Sequence, residues 1–140
     1  MAEIIFQYLE KTLPEIDKSC IHWLTSDDYS VYSHHLKLCG QKPSGKRKWK
    51  KAYKEGIVYC GLFFNGEMVA RACVEPYSPD KWEVADVRVA EDYRNRGYAY
   101  RVCLFVLAHI LSEGKTPTIR TRQDNYPMLS VIKKLGFYPL

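Results

Sequence analysis

The dipeptide Asn65-Gly66 constrains this chain more than any other local feature. It lies between GIVYCGLFF and EMVARACVEPY, two runs rich in aliphatic and aromatic residues. A two-residue hairpin turn needs positive φ at both central positions, and Asn and Gly adopt it at least cost. The middle of the chain is therefore an antiparallel pair, and the rest must cover it. After Pro79-Asp80, KWEVADVRVAED alternates poorly at Val84, Asp86 and Arg88, but Val87 and Val89 suit a third strand.

Helical signals surround these strands. GYAYRVCLFVLAHILSEG is apolar almost all round, which predicts a helix buried on most sides. TPTIRTRQDN predicts a short strand. YPMLSVIKKLG predicts a helix with Pro127 in its first turn and Gly136 closing it. Upstream, the first half reads as helical. EIIFQYLEKTL places Ile4, Ile5, Tyr8 and Leu9 at helical spacing, and EIDKSCIHWLT does the same with Ile16, Cys20, Trp23 and Leu24. SDDYSVYSHHLKLCG begins with the capping residues Ser26 and Asp27 and ends at Gly40. KRKWKKAYKEG places Trp49, Ala52 and Tyr53 on one face. The order is helices followed by β-β-β-α-β-α. This is an α+β fold with one mixed sheet and packed helices, expected as a single domain over residues 1–140.

The net charge of +5 is local in origin. KPSGKRKWKKAYK, residues 42–54, holds seven basic residues and no acidic one; the remainder carries 14 basic against 16 acidic residues, a net of −2. A general nucleic-acid binder does not follow from that balance. An amphipathic helix with a docked aromatic face and wet lysines explains the segment better. Five widely spaced cysteines include no Cys-x-x-Cys, so neither a disulfide framework nor a metal site is expected. His22, His34, His35 and His109 read as structural or surface groups. No apolar run is long enough for a membrane span, and the acidic N-terminal stretch does not resemble a signal peptide. A reducing cytoplasm is the expected location.

The chemistry concentrates in RVAEDYRNRGYAYR, residues 88–101, where a strand gives way to a helix near Gly97. The first turn of a helix offers unpaired N–H groups and the positive end of its dipole. Glycine lets an anion approach, and Arg94 and Arg96 add groups that bond phosphate in two places. Taken alone, this turn is either a phosphate or pyrophosphate site or a solvated, arginine-rich helix start. It is neither a Walker loop nor Gly-x-Gly-x-x-Gly.

RNRGYA matches Arg-x-x-Gly-x-Ala. NYPMLSVIKKLGF, residues 125–137, has the form of an Asn helix ending in Gly-Phe. Together and in this order they resemble the GNAT superfamily of small acetyl-CoA-dependent N-acetyltransferases, well over residues 56–140 and weakly over 1–55. The resemblance implies a splayed, mostly antiparallel sheet flanked by helices, and acetyl-CoA as co-substrate without a metal. The acceptor would be a small-molecule or protein amine. Backbone amides of Arg94, Asn95, Arg96, Gly97, Tyr98 and Ala99 would hold the pyrophosphate. Val87, Arg88 and Val89 would pair with the pantetheine arm, and Asn125 would bond the coenzyme from across the splay.

Transfer to an alkylamine needs a base, because the amine is protonated near neutrality. Glu83 occupies the place and spacing of a glutamate base in one branch of the family. Asp86 is the next carboxylate, although strict alternation puts the two on opposite faces unless a bulge intervenes. The Val89 N–H is the family's candidate oxyanion donor. Many members carry a tyrosine acid seven residues after the Asn; here the position is Ile132, with Tyr93, Tyr100, Tyr126 and Tyr138 as alternatives. No first strand is visible ahead of the helices, and little sequence follows Gly136, so the sheet is expected to be small and the acceptor cleft either open or completed by a second copy. Two rival readings stand beside the enzyme: a coenzyme A-binding module without catalysis, and a nucleic-acid binder using residues 42–54.

Overall fold

The computed structural model describes residues 2–13 and 15–140. In chain order the elements are β1 (Glu3–Gln7), β2 (Ile21–Trp23), α1 (Tyr29–Leu38), α2 (Lys46–Lys54), β3 (Val58–Phe64), β4 (Glu67–Glu75), β5 (Lys81–Val89), a single 3-10 turn at Glu91–Tyr93, α3 (Tyr98–Ser112), β6 (Thr116–Arg122), α4 (Tyr126–Leu135) and β7 (Tyr138–Pro139). The strands form one sheet in the order β2-β3-β4-β5-β6-β1-β7. Every neighbouring pair is antiparallel except β5–β6. The expected α+β fold is present, with its sheet mostly antiparallel and flanked by four helices.

The hairpin forms as its turn residues require, with φ of 51° at Asn65 and 78° at Gly66. α3 and α4 cover one face of the sheet. Val102, Cys103, Val106, Leu107 and Ile110 of α3 are buried there against Ala70, Ala72, Val74 and Val84. α1 and α2 cover part of the other face, where Tyr32, Leu36 and Trp49 meet Tyr59, Met68 and Cys73. The basic helix α2 docks as its aromatic stripe requires. Trp49 is 2% exposed and donates from Nε1 to the Ser26 carbonyl at 2.9 Å, and Tyr53 donates to the Leu24 carbonyl at 2.8 Å. Its lysines stay at the surface.

The N-terminal third departs from the sequence reading. Residues 3–7 are a strand rather than part of a helix, and residues 15–20 form no helix before the short strand β2. The apolar doublet Ile4-Ile5 imitates a helical stripe, yet Ile4, Phe6 and Tyr8 alternate, and it is these three that pack on the core. The α1 cap also shifts. Asp28 precedes the first turn without a side-chain cap bond, and its Oδ2 instead accepts from the Thr25 N–H at 2.7 Å.

The sheet is correspondingly larger than expected. β1 lies between β6 and β7, antiparallel to both, with Ile5 opposite Arg120 and Phe6 opposite both Ile119 and Pro139. An N-terminal strand thus stands between β6 and β7 in the sheet.

Phe6 is 8% exposed within the core, whereas Leu9, just beyond the strand, is 59% exposed. Phe6→Ala is expected to cost about 3–5 kcal/mol and Leu9→Ala less than about 0.5 kcal/mol, measured by urea unfolding. Equal, small losses would mean that β1 does not hold the sheet together.

Candidate active site

The strands β5 and β6 pair only over Lys81–Glu83 and Thr116–Thr118, and then diverge. Beyond Glu83, β5 is bound to β4 alone. Its register shifts there: Cys73 opposes Ala85 and Arg71 opposes Arg88, so two residues of β5 stand against one of β4. This is a β-bulge, with Asp86 at φ 48°. Past it, Ala90 donates to the Val69 carbonyl at 2.8 Å. Narrow and wide pairs alternate in an antiparallel ladder, so Val89, and two residues earlier Val87, direct their N–H and C=O groups away from β4, into the gap.

That gap opens into a cleft of about 580 Å³, whose lining includes Val87, Arg88, Val89, Arg94, Asn95, Gly97, Tyr98, Ala99 and Asn125. The sequence-predicted coenzyme residues other than Arg96 thus lie around one cleft. The guanidinium of Arg96 donates to the Asp92 carbonyl at 3.3 Å and lies 5.1 Å over the Tyr93 ring. Gly97 caps α3 at φ 80°, and no acidic residue stands in the first turn to offset its positive end. Asn125 caps α4, accepting from the Met128 N–H at 3.2 Å through Oδ1, which leaves its amide N–H groups to donate elsewhere. Ile132 is 1% exposed in the core and contributes nothing polar. Among the alternative tyrosines, Tyr93 and Tyr100 line the cleft, while Tyr126 and Tyr138 are exposed outside it.

A second cleft of about 320 Å³ lies among α1, α2 and the sheet, and Asp86 is part of its lining. Asp86 and Val87 face different clefts, as consecutive strand residues do. The bulge also answers the alternation problem: Ala85 packs on the α1–α2 side, and Asp86 follows it to that side.

Under this second cleft lies a polar network that the sequence reading missed. Arg71, 1% exposed, donates from Nε to Asp86 Oδ2 at 3.3 Å and from Nη2 to Oδ1 at 3.1 Å. It also donates to Gln41 Oε1 at 2.9 Å and to His35 Nδ1 at 3.0 Å. Tyr59 donates its hydroxyl to Asp86 Oδ2 at 2.7 Å. A guanidinium only donates, so His35 Nδ1 accepts and the ring proton sits on Nε2. The signal was present in EMVARACVE: a charged residue at the centre of an otherwise apolar strand demands a partner.

Glu83 lies where β5 and β6 part, but it lines neither cleft. It is 8% exposed and accepts from Arg120 Nε at 2.8 Å. Burial raises its pKa above the ordinary carboxylate value, and Arg120 opposes that shift. Cys60, Cys73 and Cys103 are buried, and burial pushes the Cys60 thiol up to about 12. His34 meets Glu67 at 2.9 Å on the surface. No metal-binding group of His, Cys, Asp and Glu occurs among the described residues, and none of their helices is long and apolar enough to cross a membrane.

Residues 17–137 match the Acetyltransferase (GNAT) family. The chain belongs to that family. Solved structures agree in fold. An acetyltransferase of the GNAT family from Novosphingobium aromaticivorans superposes with a TM-score of 0.80 at 21% identity, covering 99% of this chain and 59% of its own. A GNAT-family acetyltransferase from Colwellia psychrerythraea gives 0.78 at 16% identity, covering 98% and 52%. The ribosomal-protein-S18-alanine N-acetyltransferase of Escherichia coli gives 0.71 at 20% identity, covering 84% and 76%. The chain thus spans little more than half the length of the first two. No curated protein matches it.

The network makes one prediction independent of catalysis. Burial first, and then Arg71, lower the His35 pKa from 6.5 to about 4. Between these values the unfolded chain binds a proton that the folded chain refuses, so stability is full above about pH 6.5 and falls as pH drops towards about 4. The loss attributable to this group is roughly 3 kcal/mol. His35→Gln keeps an acceptor for Arg71 but does not titrate, and should flatten this slope in urea unfolding across that window. An unchanged slope would show that His35 is not its source.

Proposed function

We propose that the chain is an acetyl-CoA-dependent N-acetyltransferase of the cytoplasm that passes the acetyl group directly to a primary amine. One observation carries this reading: at the bulge, the consecutive residues Asp86 and Val87 line two separate clefts on opposite faces of β5. A donor in one cleft and an acceptor in the other would meet at that bulge.

In this reading the larger cleft holds acetyl-CoA. The pyrophosphate lies on the amides of the turn and first helical turn from Arg94 to Ala99, with the α3 dipole behind it. The pantetheine arm lies along Val87–Val89 as an added strand, and Asn125 donates to it from α4. The acceptor amine enters from the α1–α2 side. Its neutral nitrogen attacks the thioester carbonyl, a C–N bond forms, the C–S bond breaks and coenzyme A leaves as the thiolate. The carbonyl oxygen gains negative charge meanwhile, and the β5 N–H groups facing the gap, including that of Val89, are placed to donate to it.

Glu83 is the proposed base. It is buried and more basic than an ordinary carboxylate, and since it lines neither cleft it takes the amine proton through water. Asp86 is less suited to that role, because Arg71 occupies both of its oxygens. With Ile132 in the usual acid's position, the thiolate collects its proton from solvent or from Tyr93 or Tyr100. A second reading, a coenzyme A-binding module without turnover, is favoured by that same Ile132 and by the Glu83–Arg120 pair. The acceptor of the S18-alanine enzyme, a ribosomal protein, is one candidate class among amines. The nucleic-acid reading has the exposed lysines of α2 in its favour but no second feature.

Three measurements test this. Acetyl-CoA should raise the melting temperature of the wild type. Gly97→Val, which puts a β-branched side chain at φ 80° beside the amides, should weaken acetyl-CoA binding at least about tenfold. Absence of any acetyl-CoA binding by the wild type would exclude both the enzyme and the module. Glu83→Gln should lower kcat about a hundredfold and remove the acidic limb of its pH profile; an unchanged profile would place the base elsewhere.

A further inference from the structure

The smaller cleft also carries information about the acceptor, and the inference drawn from it rests on the acetyltransferase reading above. At its base the Asp86 carboxylate is fixed, with Oδ2 taking Tyr59 and Arg71 Nε and Oδ1 taking Arg71 Nη2. A carboxylate offers about four lone-pair sites, so Oδ1 retains room for one further donor. Its side chain is 32% exposed, and it lines the cavity. The walls are the rings of Tyr32, Trp49 and Tyr59. Aromatic walls beside a carboxylate suit the methylenes and nitrogen of an alkylamine.

The rim has the opposite character. Lys42 and Lys48 line it together with Ser44, and both lysines are exposed. Ser44 is held by the Tyr29 hydroxyl, which donates to its carbonyl. α2 begins immediately afterwards, with no acidic residue in its first turn. The ion pair recorded for this helix is Lys51–Glu55, away from the cleft. Asp86 and Arg71 offset each other at the base, so Lys42 and Lys48 leave the cavity with two positive charges uncompensated. At about 320 Å³ it sits at the low end of small-molecule sites.

We propose that the acceptor is a small zwitterionic amine. Its amino group sits against Asp86 at the base, and its carboxylate or phosphate is held by Lys42 and Lys48 at the rim. Asp86 is a positioning residue for the amine; Lys42 and Lys48 set specificity.

The test compares amines matched in length. Glycine, γ-aminobutyrate and phosphoethanolamine are set against glycinamide, butylamine and ethanolamine, and a C-terminally amidated peptide with a free N-terminus serves as the protein-like arm. Acetyl transfer is followed by thiol release. Each anion-bearing amine that fits should exceed its neutral counterpart by about tenfold or more in kcat/KM, and the carboxylate and phosphate members separate the two anion types. The charge reversals Lys42→Glu and Lys48→Glu should abolish that preference through KM, with acetyl-CoA binding reporting that the fold is intact. Lys54→Glu, on α2 but outside the cleft lining, should leave the preference in place. Equal rates within every pair, or turnover confined to the amidated peptide, would overturn the proposal. Calorimetry on the protein loaded with coenzyme A keeps the two readings separate. Anionic amines that bind without turnover would support the pocket assignment and remove the enzymatic reading. Absence of binding and turnover by every anionic amine would overturn the pocket assignment even where acetyl-CoA binds normally.

Discussion

The bidentate pair between Arg71 and Asp86 is the contact on which the site depends. Burying a guanidinium is costly unless its donors are met, and removing one partner of such a pair typically costs about 3–5 kcal/mol. Here Asp86, Gln41 and His35 meet Arg71 from β5, from the loop after α1 and from α1 itself. The pair thereby ties three parts of the chain together at one point of the sheet. It also holds Asp86 at a positive φ that a non-glycine residue adopts only when its surroundings demand it. Released from Arg71, Asp86 would have reason to return to regular pairing, and Val87 and Val89 would then lose their direction into the gap.

The splay of β5 from β6 is the second constraint, and it has its own cost. A strand edge exposed inside a sheet invites mispairing. The structure limits that exposure from both ends. Glu83 and Arg120 bridge the strands where they part, and α3 and α4 pack beneath the gap through Leu104, Val131 and their neighbours. β1 stiffens the far side by pairing with β6 along five residues and with β7 beyond it. The β6-β1-β7 end of the sheet thus relies on a strand from the opposite end of the chain. The opening remains a cleft because the elements around it are fixed independently of one another.

How much of this was legible in the sequence follows from the range of each interaction. The hairpin was legible because Asn65 and Gly66 carry their own conformational demand. The helix start at Gly97 was legible because its groups are backbone amides within a few residues of that glycine, so their convergence needs no distant partner. β1 was not legible. Its five residues are defined by pairing with β6 and β7 at the other end of the chain, and the Ile4-Ile5 doublet gives a local helical period that non-local pairing overrides. The Arg71 network was hidden for the same reason, since its members come from α1, a loop, β3, β4 and β5. Arg71 alone advertised that something must answer it.

The basic helix α2 shows how one segment can serve stability and recognition without conflict. Its inward stripe is fixed by Trp49 and Tyr53, which bond the backbone ahead of α1 as well as filling the aromatic cluster. That docking is insensitive to what the other positions carry, because an exposed lysine contributes little to stability in either sign. The rim of the smaller cleft can therefore change charge with little effect on the helix that bears it, whereas the floor cannot: Tyr59, Arg71 and Asp86 also hold the bulge. In the proposed reading, a site built in this way separates the transfer chemistry, assigned to the strand, from the choice of acceptor, assigned to residues 42–48, because the docking of α2 depends on its aromatic stripe and not on the charges at the rim.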